Sequence, residues 1–275
     1  MIKINNITIA FLLTFLAGLS TVVGSVIAFG FKKTNKAFLS SSLGFSAGVM
    51  IYISFVELLD EAKESLVDHL GATTGEWATV GFFFLGILVI ALIDKMIPNH
   101  ENPHHVWDEK KVEGLSSNKE IDIEDKASLH RTGVKSALAL AIHNFPEGLV
   151  TFVAAMVDPA LGLSIAIAIA LHNIPEGIAV SVPIYYSTGS KKKAFGYALF
   201  SGLAEPVGAL IGYFVFSALL NELFFGFIFS FVAGIMVFIS IDELLPTSRK
   251  YGEGHKEIYG FVLGMAVMAV SLVLI

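Results

Sequence analysis

Eight apolar runs, at about 7 to 31, 37 to 59, 77 to 97, 133 to 157, 161 to 186, 194 to 220, 223 to 246 and 258 to 275, leave little of this 275-residue chain for water. A hydrocarbon core of about 30 Å takes roughly 20 apolar helical residues to cross, so each run is read as a transmembrane helix, here spans one to eight. The expected fold class is therefore an all-α integral membrane protein with eight transmembrane helices. Composition agrees: 55% of residues are hydrophobic, 15% are charged and mean hydropathy is +0.73, outside the mixture of a soluble chain. A single transmembrane domain, 1–275, accounts for nearly everything. The one long polar connection, about 98 to 132, is read as a mobile loop between spans three and four. Span one is too long in its apolar stretch for a signal peptide, and Lys32, Lys33 and Lys36 follow it rather than precede it, so it is read as retained.

Charge placement sets an orientation. With the N-terminus outside, only Lys3 and Lys63 of the 18 basic residues stay outside, and the long loop, the Lys191–Lys193 run and Arg249, Lys250 and Lys256 face the cytoplasm. The even number of spans then puts both termini outside in a multi-pass protein of the cell membrane. The segment 60 to 76, with Asp60, Glu61, Glu64, Asp68 and Glu76, falls on the outer face, where it would gather cations or simply be a solvated helix end and loop.

Two internal repeats constrain the plan further. AGVMIYISFVELL at 47 to 59 matches AGIMVFISIDELL at 233 to 245 without a gap, eight of thirteen positions being identical. ALALAIHNFPEGL at 137 to 149 matches AIAIALHNIPEGI at 166 to 178. Each match joins an even-numbered span to an odd-numbered one, hence helices of opposite direction, which is the inverted-repeat pattern of alternating-access transporters. The expected arrangement is spans one to three mirrored by six to eight, with four and five in the middle.

The second repeat carries chemistry. His143 and Glu147 are four residues apart, as are His172 and Glu176, so each pair stacks on one helical face. Both pairs, and Glu205 on span six, fall near mid-membrane, where an ionisable group costs about 2.5 to 3.5 kcal/mol. Three carboxylates at one depth want a cation between them. Two imidazoles and two carboxylates suit tetrahedral zinc, and Asn144, Asn173 and Glu205 add an oxygen-rich neighbour that shares Glu147 or Glu176 as a bridge and tolerates iron or manganese. Pro146 and Pro175 are expected to break their helices by freeing the carbonyls of Ile142 and Leu171, and Gly148 and Gly177 to let spans four and five approach closely. Glu57 on span two and Glu243 on span seven are equivalent by the repeat, with Asp242 beside the latter, and suit an entrance and an exit or are interfacial carboxylates in water. His100, His104 and His105 in the loop have spacing fit for loose zinc sensing, or are ordinary loop residues. The GxxxG pairs at Gly44, Gly208 and Gly260 are read as helix packing.

The absence of cysteine removes thiolate sites and disulfides, and no basic face interleaved with aromatics suggests nucleic acid. A membrane metalloenzyme would keep three protein ligands, an open position and a nearby base, whereas this chain offers a full cluster and no base-partnered nucleophile, so no enzyme is expected. A metal-gated receptor would need a soluble output domain.

HNFPEG at 143 to 148, HNIPEG at 172 to 177, VPIYYSTGSKKKAF at 182 to 195 and SGLAEPVGALIGY at 201 to 213 resemble the ZIP (Zrt/Irt-like) metal transporter family, and within it bacterial zinc permeases. The resemblance covers essentially the whole chain. It implies a 3+2+3 arrangement of eight helices, zinc held by His143, Glu147, His172 and Glu176, and a second metal held by Asn144, Asn173, Glu205 and the shared glutamates. It implies import of zinc, and of iron, manganese, cobalt or cadmium beside it, with efflux the alternative. Metals are cargo here and no cofactor is expected. The expected partners are divalent metal ions and membrane lipids, with pairing into a homodimer left open.

Overall fold

The computed structural model describes residues 4–30, 36–96, 123–216, 221–251 and 254–274. Among these residues, eight helices are long and apolar enough to cross a membrane. Span one is Ile4–Ala28. Span two begins as Lys36–Ile53, passes through a wider π-helical turn at Ser54–Leu58 and continues as Leu59–Leu70. Gly71, at φ 82°, ends it in a backbone conformation that suits glycine, and span three, Ala72–Met96, follows at once. Span four is Ile123–Val157.

Span five, Pro159–Thr188, starts where Asp158 accepts a hydrogen bond from the Ala160 amide, with proline in the first turn, and ends on left-handed Gly189. Span six is Lys191–Gly202 and, beyond Leu203, Ala204–Phe216. Its interruption lies one turn before Pro206, which has no amide proton to give the Gly202 carbonyl. Span seven is Glu222–Ile239, a second π turn at Ser240–Leu244, and Leu245–Tyr251; span eight is Lys256–Leu274.

Three expectations need correction or limits. The acidic stretch after span two, read as a helix end and loop, is helical but for Gly71: span two runs on to Leu70, span three starts at Ala72, and Lys63 pairs with Glu76 at 3.2 Å. Span four starts at Ile123, inside the stretch read as loop, while His100, His104 and His105 lie outside the described residues. Pro146 and Pro175 do not break their helices, which run through both. A buried helix held on several sides by neighbours tolerates one missing bond, because packing outweighs the lost propensity.

Spans one, four, five and six pack together as one bundle, and spans two, three, seven and eight as another. The contacts come in mirrored pairs: one on five and six on four within the first bundle, two on eight and seven on three within the second. The bundles meet where span two packs on span five and span seven on span four. Glycines let the backbones touch. A Cβ on Gly177 would strike the Thr21 carbonyl oxygen, and one on Gly148 the Glu205 carbonyl oxygen. Gly44 and Gly48 lie against Glu257 and Phe261, and Gly260 and Gly264 against Ser41 and Phe45, so the GxxxG motifs of spans two and eight interlock. Spans three and eight form the outer flank, with Phe84, Tyr259, Val262 and Val273 facing outward.

Candidate metal centre

His143, Asn144, Glu147, His172, Asn173, Glu176 and Glu205 are all buried, none more than 3% exposed. The four-residue spacing stacks His143 over Glu147, with Nε2 to Oε1 at 3.0 Å. From the antiparallel neighbour, His172 Nε2 reaches the same Glu147 oxygen at 3.1 Å, and Glu176 Oε1 lies 3.7 Å from His143 Nε2. Ligands about 2.05 Å from a tetrahedral ion stand about 3.3 Å apart, a value these separations bracket. Nitrogen and oxygen atoms of His143, His172 and Glu176 lie within 4.8 Å of one another, a grouping fit for a metal ion.

The asparagines are held by their amide nitrogens. Asn144 Nδ2 donates to the Ser201 carbonyl at 3.2 Å, and Asn173 Nδ2 donates to the Ala17 carbonyl at 3.1 Å and to Glu205 Oε1. Both Oδ1 atoms, both Glu176 oxygens, Glu147 Oε2 and Glu205 Oε2 are left without a hydrogen-bond partner among the described residues. So many buried oxygens without partners are costly in a protein alone, and they are what a cation requires.

Glu57, Asp242 and Glu243 stand apart from this cluster, on the two π turns. Glu57 and Glu243 are half-buried and Asp242 is exposed. The π turns Ser54–Leu58 and Ser240–Leu244 occupy the same place in the repeat, and in each the first serine donates to the carbonyl four residues back, Met50 or Met236, at 2.7 Å. A hydroxyl bonded into the ladder loosens it and favours the wider turn, a feature frequent at functional positions.

The profile of the family described as ZIP Zinc transporter matches residues 2–272. The chain belongs to the ZIP family. Relatives bearing the name Zinc transporter ZupT include one from Clostridium perfringens, 60% identical over 99% of this chain and 98% of its own length. Another, from Oceanobacillus iheyensis, is 57% identical over 98% and 99%, and one from Nitratidesulfovibrio vulgaris is 52% identical over 100% and 99%. As a ZIP protein it is a multi-pass membrane transporter rather than an enzyme.

The ZIP fold also exposes a correspondence that hydropathy passed over. GLSTVVG at 18 to 24 aligns with GLAEPVG at 202 to 208, which makes Thr21 the counterpart of Glu205. Gly18 and Gly202 meet face to face, and each would drive a Cβ into the other's carbonyl oxygen.

Proposed function

We propose that the protein imports zinc into the cytoplasm across the cell membrane, with both termini outside. Iron, manganese, cobalt and cadmium are further cargo. His143, Glu147, His172 and Glu176 bind the first ion; Asn144, Asn173 and Glu205 bind a second through a shared glutamate. The observation that carries this reading is the meeting of two imidazoles, from helices of opposite direction, on one carboxylate oxygen at 3.0 and 3.1 Å. Import rather than efflux follows from kinship with zinc transporters of the ZIP family, since ligands alone fix no direction. Glu57 on one face and Asp242 and Glu243 on the other serve as entrance and exit. The 98–132 segment is a cytoplasmic connection within a single transmembrane domain.

Radiolabelled zinc uptake into proteoliposomes of defined orientation tests the proposal. Native protein should take up zinc, and His172→Ala and Glu176→Ala, folded and inserted, should not. Unchanged flux in both variants would make the repeated motif structural.

A further inference from the structure

Four buried hydroxyls in the first bundle, on Thr21, Ser25, Ser181 and Ser201, have no hydrogen-bond partner among the described residues. Elsewhere, Ser40 apart, buried helical hydroxyls bond a backbone carbonyl, either their own helix's, as Thr14 does Ala10, Thr79 Gly75 and Thr151 Glu147, or a neighbour's, as Ser46 does His172 and Ser230 Thr79. An unpaired buried hydroxyl costs about 1 to 3 kcal/mol, so four in one bundle ask for an occupant that bonds oxygen.

All four lie at or to one side of the His and Glu cluster. Ser25 is one turn past Thr21 toward the end of span one, Ser181 lies past Glu176 toward the end of span five, and Ser201 is one turn before Glu205 in span six. Spans five and six join on that side beside exposed Lys191, Lys192 and Lys193.

The inverted repeat supplies an internal control. The counterparts of Ser25, Ser201 and Ser181 on the opposite side are Ala209, Ala17 and Phe152, all buried and apolar. Phe152 packs against Phe11, ring centroids 4.7 Å apart, and Tyr213, 6.2 Å apart. At these three positions one half of the symmetric scaffold carries hydroxyls without partners and the other carries carbon, while the buried hydroxyls of that other half, Thr14 and Thr151, are bonded to their own backbone.

Thr21 is the pivot of this asymmetry. A Cβ on Gly202 would come within 3.3 Å of Thr21 Cβ, just as one on Gly18 would come within 3.4 Å of Glu205 Cβ. On the Glu205 side Asn173 bonds both the carboxylate and the Ala17 carbonyl; on the Thr21 side Asn144 bonds only the Ser201 carbonyl, and both Oδ1 atoms lack a partner. We infer that Thr21 Oγ1 extends the second-ion site, beside Asn144 Oδ1, by a neutral oxygen on the cytoplasmic flank of the cluster, where a partly hydrated divalent cation leaving that site, helped onward by Ser25, Ser181 and Ser201, is selected and released.

This rests on the cluster being the transport site and the lysine-bearing face being cytoplasmic. Neutral oxygens hold a divalent ion more weakly than carboxylate and imidazole, as a release step requires, and they favour hard manganese over soft cadmium.

The test is uptake of radiolabelled zinc, manganese and cadmium by proteoliposomes holding the native chain, Thr21→Val, Thr21→Ser or His172→Ala. Thr21→Val keeps the shape and removes the hydroxyl. It should lower manganese uptake about tenfold and cadmium uptake less, so that the manganese-to-cadmium ratio falls at least about threefold, and Thr21→Ser should restore it. An unchanged ratio in folded Thr21→Val, or an equal loss for all three ions, overturns the assignment. Should Thr21→Val not fold, Ser25→Ala combined with Ser181→Ala must shift the ratio the same way, and no shift overturns it. Failure of the underlying transport reading looks different: flux is then absent in the native protein or untouched by His172→Ala.

Discussion

The two four-helix bundles are packed by the same device, glycine laid on a facing carbonyl, yet they enclose different chemistry. Spans two and eight interlock through Gly44, Gly48, Gly260 and Gly264, and spans three and seven through Gly86 and Gly234. Spans one, four, five and six do the same through Gly18, Gly24, Gly148, Gly177, Gly202 and Gly208. The second bundle is filled with side chains such as Met50, Ile53, Met236 and Ile239. Among the described residues, every buried side chain with an unpartnered polar atom except Ser40 and Glu257 lies in the first. Close packing is therefore a property of the repeated scaffold. Unmet polar valence is concentrated in one bundle, and the proposed function makes that bundle the one an ion would stabilise.

Removing a ligand should separate the two bundles most clearly. Glu147→Ala takes away the oxygen on which both imidazoles converge and should lower zinc uptake more than about 100-fold, read as initial rates in proteoliposomes. Val153→Ala, a buried apolar site on the same helix, should leave uptake near native.

Packing is tested next. Gly177→Val must push the Thr21 carbonyl away and should destabilise by about 3 kcal/mol or more, seen as a lower melting temperature or loss of monodisperse protein. Gly81→Val, where nothing lies within 4 Å, should stay within about 0.5 kcal/mol.

Zinc at about 100 times its dissociation constant should stabilise the native protein by about 2.7 kcal/mol in thermal unfolding. The shift should vanish in His143→Ala and persist in Met236→Leu, which alters only the apolar bundle.

The smallest expected effect concerns the π turns. Glu57→Gln and Glu243→Gln, equivalent by the repeat but on opposite faces, should each lower uptake about two- to fivefold without abolishing it. An effect as large as that of Glu147→Ala would move these carboxylates into the site itself.

Much of this was legible in the chain. Hydropathy located all eight crossings, and the two repeats gave their mirrored order, because both signals are local in sequence. The HNxPEG motifs named six ligand candidates because helical spacing fixes which side chains share a face. Sequence expected broken helices at Pro146 and Pro175, and the structure keeps them whole, since the neighbours that hold a helix straight are distant in the chain. It also read the stretch after span two as an outer-face cation trap or a helix end and loop, and placed the end of the helix too early, because a charged helix that extends beyond a crossing looks like a linker by composition. The correspondence of Thr21 with Glu205 was visible in GLSTVVG and GLAEPVG, but a hydroxyl among apolar residues gives no signal until its partners are known.

Residue order alone dictates the class of protein, the inverted order of its helices and the face on which His143, Glu147, His172 and Glu176 stand. These depend on residue type and on a period of 3.6, which any isolated helix obeys. Only the tertiary structure decided that one Glu147 oxygen meets both imidazoles, that Asn173 takes Glu205 while Asn144 takes a backbone carbonyl, and that unpartnered hydroxyls gather on one side of the site. Such facts turn on distances of a few ångströms between helices, set by which glycines let two backbones touch, and no local pattern records them.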